Sequence, residues 1–206
     1  MNGNSKKTQM ALPDRLAEAI SNVFHPFVAA IPTMVIAMVW QGTSLRSALF
    51  WTILAVCVVI VPLVFLIYRG VRSGLYSDAS ISIREQRRGL YAAAAILFAL
   101  LLAILIWGKA PTILLACLVS ALAATVIASL INHRFTKLSL HSVGMAGYTT
   151  VLLLTVPALG IAMALFALLV GWARMHLNHH TPLQILIGWA VSSICILLIF
   201  GSMQLL

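Results

Sequence analysis

The sequence predicts an all-α fold, a polytopic membrane bundle of six to seven transmembrane helices. Three observations carry this expectation. Of 206 residues, 62% are hydrophobic and only 8% are charged, against about 25% charged in an ordinary soluble domain. Mean hydropathy is +1.07. The apolar residues fall in runs of about 18 to 22, the length a helix needs to cross the hydrocarbon core of a bilayer. No repeat or linker divides the chain, so residues 22–206 read as one transmembrane domain behind a polar tail, 1–21.

The opening stretch, MNGNSKKTQMALPDRLAEAI, is polar for too long to be an ordinary signal peptide, and is expected to stay as that tail. Apolar runs then place spans at 22–41, 48–68, 90–108, 111–131, 140–155, 157–174 and 183–203. Pro157 marks the tight turn between the fifth and sixth. Thr181-Pro182 opens the last, with proline in the first turn, where its missing N–H costs little. Cys57, Cys117 and Cys195 each lie inside an apolar run without CxxC spacing, and read as small packing residues.

Charge is uneven in kind and in place. Thirteen basic residues stand against four acids, Asp14, Glu18, Asp78 and Glu85, and nothing after Glu85 is acidic. Enzymes that hold magnesium on carboxylate clusters need several acids at one site. A magnesium-dependent prenyl or CDP-alcohol transferase is therefore disfavoured. In a membrane chain a net charge of +9 reports loop bias rather than nucleic-acid binding.

Seven spans put the connections alternately on two sides. The side of the N-terminus receives Lys6, Lys7, Arg15, Arg69, Arg72, Arg84, Arg87, Arg88, Arg134, Lys137 and Arg174; the other side receives only Arg46 and Lys109. This bias points the crowded side toward the cytoplasm, as expected of a multi-pass integral membrane protein.

Three polar stretches meet on the crowded side: SDASISIREQRRGLY (77–91), RFTKLSLHSVG (134–144) and ARMHLNHHTPLQ (173–184). Each lies at the mouth of a helix. Arginines in several places, two separated histidines and a hydroxyl on one membrane face are what a phosphate site requires. Guanidinium forks bind phosphate oxygens bidentately. The span opening near Ser139 and His141 adds free N–H donors. One imidazole can attack phosphorus while another protonates the departing oxygen. His176 and His180 are four apart, a zinc-like spacing, but Pro182 and the expected helix end fall within the stretch, and no carboxylate or thiol stands near. No metal or cofactor is expected. His25, in FHPF, and His133 read as helix-end residues without chemistry.

Taken in order, these residues resemble the type-2 phosphatidic acid phosphatase superfamily, the lipid phosphate phosphatases, over roughly residues 77–203. That family carries the motifs KxxxxxxRP, PSGH and SRxxxxxHxxxD. Arg174, five residues and His180, then three residues to Gln184, match the third, with Ala173 at the serine position. LSLH matches the second at Ser139 and His141, with Leu140 for glycine. REQRRG is the weakest match: Arg87 takes the motif arginine, Arg88 the proline, and Ser80 the lysine. The resemblance implies a divergent bacterial-type member that hydrolyses an isoprenoid (di)phosphate or a phosphatidate-like lipid through a phosphohistidine, without metal. His180 would be the nucleophile and His141 the general acid. Arg87, Arg174 and the backbone around Ser139 would hold the phosphoryl oxygens. Arg84 or Lys137 would cover the missing lysine, and Gln184 would orient His180 without the charge of the family's aspartate. The alternative is a weak or inactive member that binds lipid phosphates as a scaffold. A transporter lacks support, since no charged or broken segment is evident within a span.

Overall fold

The computed structural model describes residues 11–79, 81 and 83–206, and among these described residues it has eight helices. They are α1 (Leu12–Val23), α2 (Pro26–Trp40), α3 (Leu45–Arg72), α4 (Arg87–Trp107), α5 (Thr112–Arg134), α6 (Leu140–Thr155), α7 (Pro157–His176) and α8 (Pro182–Ser202). No strand occurs among the described residues. Lys6, Lys7 and Ser80 lie outside them.

Five helices, α3, α4, α5, α7 and α8, are long and apolar enough to cross a membrane. The pair α1–α2, bent by 41°, makes a sixth if taken as one span. The chain is thus a multi-pass membrane protein by length and composition. Helix α6 occupies the expected 140–155, but its 16 residues rise about 24 Å, short of the hydrocarbon thickness. One expectation changes: the second half of the polar tail is helical. Helix α1 buries Ala17 and Ser21 against α7, and Phe24 stacks on Phe166 with ring centroids 4.3 Å apart.

Local chemistry explains where the helices begin. Ser44, Ser139 and Thr181 accept backbone N–H groups from the first turns of α3, α6 and α8. His25 does the same for α2, its Nδ1 accepting from Phe27 N–H at 3.2 Å. Prolines occupy the first turn of α2, α7 and α8, where no donor is lost. Helix α3 passes through a π-helical stretch, Val56–Ile60. Leu198, Ile96 and Trp107 project outward, 68%, 68% and 89% exposed, as expected of a surface bathed in lipid.

Helix α6 is the hub, packed on α7, α8 and α2. Of its buried hydroxyls, Thr155 donates to the Val151 carbonyl at 2.9 Å, and Thr150, 2.8 Å from the Ala146 carbonyl, also meets the Ser193 hydroxyl of α8 at 2.9 Å. The Thr150–Ser193 contact is a polar link between α6 and α8 of the kind that joins helices within a membrane. The turn at Pro157 brings α6 and α7 together closely: a Cβ on Gly160 would lie 2.4 Å from the Leu153 nitrogen. Backbone cannot yield as a side-chain tip can. Gly160→Ala is expected to force the hairpin apart and lower the melting temperature in detergent, by about 1–3 kcal/mol of overpacking. Melting at the wild-type temperature would show that the hairpin opens freely.

Candidate functional site

All three polar stretches converge at one end of the bundle. Ser139 caps α6 and is fully buried, with His141 in the helix's first turn, 9% exposed. Arg174, in the last turn of α7, is 3% exposed, and His180, in the α7–α8 connection, is 7% exposed. Arg87, at the start of α4, is 2% exposed. Two guanidinium groups this deeply placed are expensive unless something bonds to them.

The two arginines differ in what they bond. Arg87 donates through Nε to the Ile81 carbonyl at 2.7 Å and through Nη1 to the Leu138 carbonyl at 2.5 Å. It ties the first polar stretch to the second. Ile81 has φ +47°, a left-handed backbone that a β-branched residue rarely adopts, and Arg87 holds its carbonyl there. Arg174 has one hydrogen bond, Nη1 to the Ser21 hydroxyl at 3.3 Å, and its Nε is buried with no partner among the described residues.

His180 is oriented by Gln184. The Gln184 side-chain oxygen accepts the Thr181 N–H at 3.3 Å, and its amide nitrogen donates to the Thr136 hydroxyl at 3.1 Å. The amide orientation is therefore set by its neighbours. The same oxygen lies 3.0 Å from His180 Nδ1, so Nδ1 must carry the proton and donate, which leaves the Nε2 lone pair free. Thr181 and Gln184 also form the capping box of α8, so the orienting group is anchored to a helix end.

Electrostatics keep this imidazole neutral. Burial first, then the nearby Arg87, pull His180 down to about 3, with Arg174 and Lys137 adding to the effect and the Gln184 bond opposing it. Burial, Arg174 and other cations also lower His179. Lys137 is lowered by burial and then by Arg87 and Arg174, while Asp78 opposes.

A stability consequence follows. His180 protonates in the unfolded chain near 6.5 but in the folded chain only near 3. Between those values the unfolded state binds more protons, so stability is full above about 6.5 and is lost as pH falls toward about 3. His180→Gln should flatten part of this acid slope in melting curves taken from pH 7 to 4. An unchanged slope would place the acid sensitivity elsewhere.

The structure brings His180, His141, Arg174, Arg87, Ser139, Lys137 and Gln184 together at one end of the bundle and places Arg84 apart from them. Its guanidinium bonds the carbonyl oxygens of Asn132 and, at 2.9 Å, His133. It closes the C-terminal end of α5 and borders a separate small cleft with Glu85 and Arg88. Lys137 lies close enough for its charge to act on His180. Sequence reasoning passed over Ser21, His25 and Thr136, which come from other parts of the chain. Asp78 joins as well, close enough to act on Arg174, Lys137 and His179.

No group of three or more metal-ligating side chains occurs among the described residues. His176 turns away from His180 to meet Asp14 of α1 at 3.0 Å. Behind the histidines, a cavity of about 250 Å³ runs into the bundle. His25 and His141 line it together with apolar residues such as Leu63, Ala94, Phe98, Ala121 and Ile196.

The class these features define is a multi-pass helical membrane protein with a buried, basic, histidine-containing site at one end of its bundle and an apolar cavity beneath. No known protein family, curated protein or solved structure matches this chain.

Proposed function

We propose that this protein is a metal-independent lipid phosphatase of the bacterial inner membrane, similar in its chemistry to the type-2 phosphatidic acid phosphatases. The observation that carries the reading is the pairing of Arg174 with His180. A buried guanidinium with an unpartnered Nε lies near an imidazole whose protonated Nδ1 leaves Nε2 free. A phosphoryl group would satisfy the first and accept attack from the second.

In the first step His180 Nε2 bonds to phosphorus and the ester P–O bond breaks. The departing oxygen takes a proton from His141. Water then attacks phosphorus, His141 takes its proton, the P–N bond breaks, and inorganic phosphate leaves with His180 restored. Arg174, Lys137 and the first amides of α6 face the charge on the equatorial oxygens. The cavity under His141 offers space for hydrocarbon, which favours an isoprenoid (di)phosphate or a phosphatidate-like lipid over a soluble ester. The basic bias of the connections favours the cytoplasmic face for the site.

Gln184 supports a second reading, a lipid-phosphate binder with little turnover, because an amide cannot stabilise charge on His180 as a carboxylate would. One assay separates the two. Detergent-purified protein is given prenyl diphosphates, prenyl monophosphates and phosphatidates in EDTA, and phosphate release is followed. Release that persists in EDTA and is inhibited by vanadate is expected. Binding of these lipids without release would select the binder; loss of release in EDTA with recovery on zinc would overturn the metal-free mechanism.

A further inference from the structure

The segment that resembles a phosphatase begins near residue 77, yet two side chains of the site come from the elbow between α1 and α2. Ser21 accepts a hydrogen bond from Arg174 at 3.3 Å. His25 meets His141 edge to face, with ring centroids 4.7 Å apart and planes at 79°. Both histidines border the cavity.

The tautomer of His25 follows from its bonding. Nδ1 accepts the Phe27 N–H at 3.2 Å, so in the neutral ring the proton sits on Nε2. A cap alone would not call for histidine, because Ser, Asp or Asn serve better at a helix start. Imidazole adds a ring packed edge to face with His141 and a second ring nitrogen that carries an N–H. The fold also holds this ring in place: Pro26 follows it in the first turn of α2, and Phe24 stacks on Phe166 before it. A Cβ on Gly144, one turn beyond His141, would lie 2.6 Å from the Pro26 ring. The elbow thus packs tightly on the helix that carries His141. The charged and titratable groups that reach His141 from its other neighbours are Arg174 of α7, Arg87 of α4 and His180 of the α7–α8 connection. All are basic, so a neutral ring on the remaining side adds no further repulsion.

We infer that His25 is a positioning residue for His141, holding its imidazole at the mouth of the cavity, where the departing oxygen of the substrate would lie. The inference rests on the phosphatase reading for its catalytic meaning. The contact between the rings stands without it.

The test uses His25→Asn, which keeps an N-cap acceptor and removes the ring, in the full chain in detergent. Should that variant melt early, His25→Ser serves as a second N-cap. His25→Asn is expected to melt with wild type and to lower turnover of a lipid monophosphate about tenfold to a hundredfold. Turnover of an activated aryl phosphate, whose leaving group needs no acid, should stay within about twofold. Adding His25→Asn to His141→Ala should cost nothing more, since a residue acting through His141 has no effect without it. The His141 ring, labelled with ¹³C and assigned by its loss in His141→Ala, should titrate at a different pH in His25→Asn.

Wild-type turnover together with an unchanged His141 titration would reduce His25 to a helix cap and end the inference. So would losses that multiply in the double variant. If wild type releases no phosphate from any substrate, the phosphatase reading fails by itself, and the titration alone decides: a shift upholds the hold of His25 on His141, and none removes it.

Discussion

Alanine at His180 is expected to cut phosphate release by about a thousandfold or more, because a covalent route cannot start without its nucleophile. The protein should still fold. His180 is 7% exposed, but its one side-chain partner, Gln184, keeps the Thr181 N–H and the Thr136 hydroxyl when the ring is gone. Arg174→Leu makes the matching case from the other side. Its guanidinium is buried and, among the described residues, bonds the Ser21 hydroxyl and leaves Nε without a partner. Replacing a buried charge that has one hydrogen bond and only the more distant Asp78 to offset its desolvation with an apolar group of similar bulk should leave stability unchanged or raise it. Turnover should fall by about a hundredfold to a thousandfold, with vanadate affinity falling alongside. A group that costs stability and serves a ligand gives this opposite pair of effects; a structural group does not. Near-normal release in purified His180→Ala, or a large loss of stability with unchanged vanadate binding in Arg174→Leu, would remove the site from this end of the bundle.

How far the sequence alone reached depended on the range of each signal. Helices from 45 onward were legible because each is an apolar run closed by a local stop, such as Ser139, Pro157 or Thr181-Pro182. The α6 boundaries, 140–155, match those expected. Helix α1 was not legible as a bundle element. Its apolar residues are interspersed with Asp14, Arg15 and Glu18, and only contact with α7 shows which face is buried. The site was legible where spacing encodes it, as in the five residues between Arg174 and His180. It was not legible where the partner is distant in sequence. Ser21 and Arg174 lie 153 positions apart and Gln184 and Thr136 lie 48 apart, and no local pattern connects them. In sequence, Arg87 took the motif arginine and Arg84 stood with Lys137 as a candidate for the missing lysine, so both were expected at the site. Three residues is close to one helical turn, yet Arg84 precedes the helix and meets the end of α5, while Arg87 begins it and faces inward. His25 was underread for another reason: its role as an N-cap is local and sufficient, so nothing in the sequence required the contact with His141.

Arg87 carries the second large effect, and here the expected loss is in stability as much as in turnover. Its Nε and Nη1 hold the Ile81 and Leu138 carbonyls, two backbone acceptors that belong to different polar stretches. Both Ile81 and Leu138 are buried, 1% and 0% exposed, so water does not readily replace the guanidinium. Arg87→Ala leaves two buried acceptors without these donors, at about 1–3 kcal/mol each. It also releases the left-handed backbone at Ile81. A single ammonium cannot imitate a fork whose arms meet two chain segments. Arg87→Lys should therefore melt nearly as early as Arg87→Ala, although it keeps the charge. Turnover should fall in both variants, because the Leu138 carbonyl precedes Ser139 and His141 directly, and loosening it moves the start of α6. Thermal melting in detergent, read with phosphate release at a temperature where all variants remain folded, separates charge from geometry. If Arg87→Lys recovers wild-type stability, the clamp on Ile81 and Leu138 is not what holds the two stretches together. If it recovers turnover while remaining unstable, Arg87 serves the phosphate by charge alone and the fork is a matter of folding.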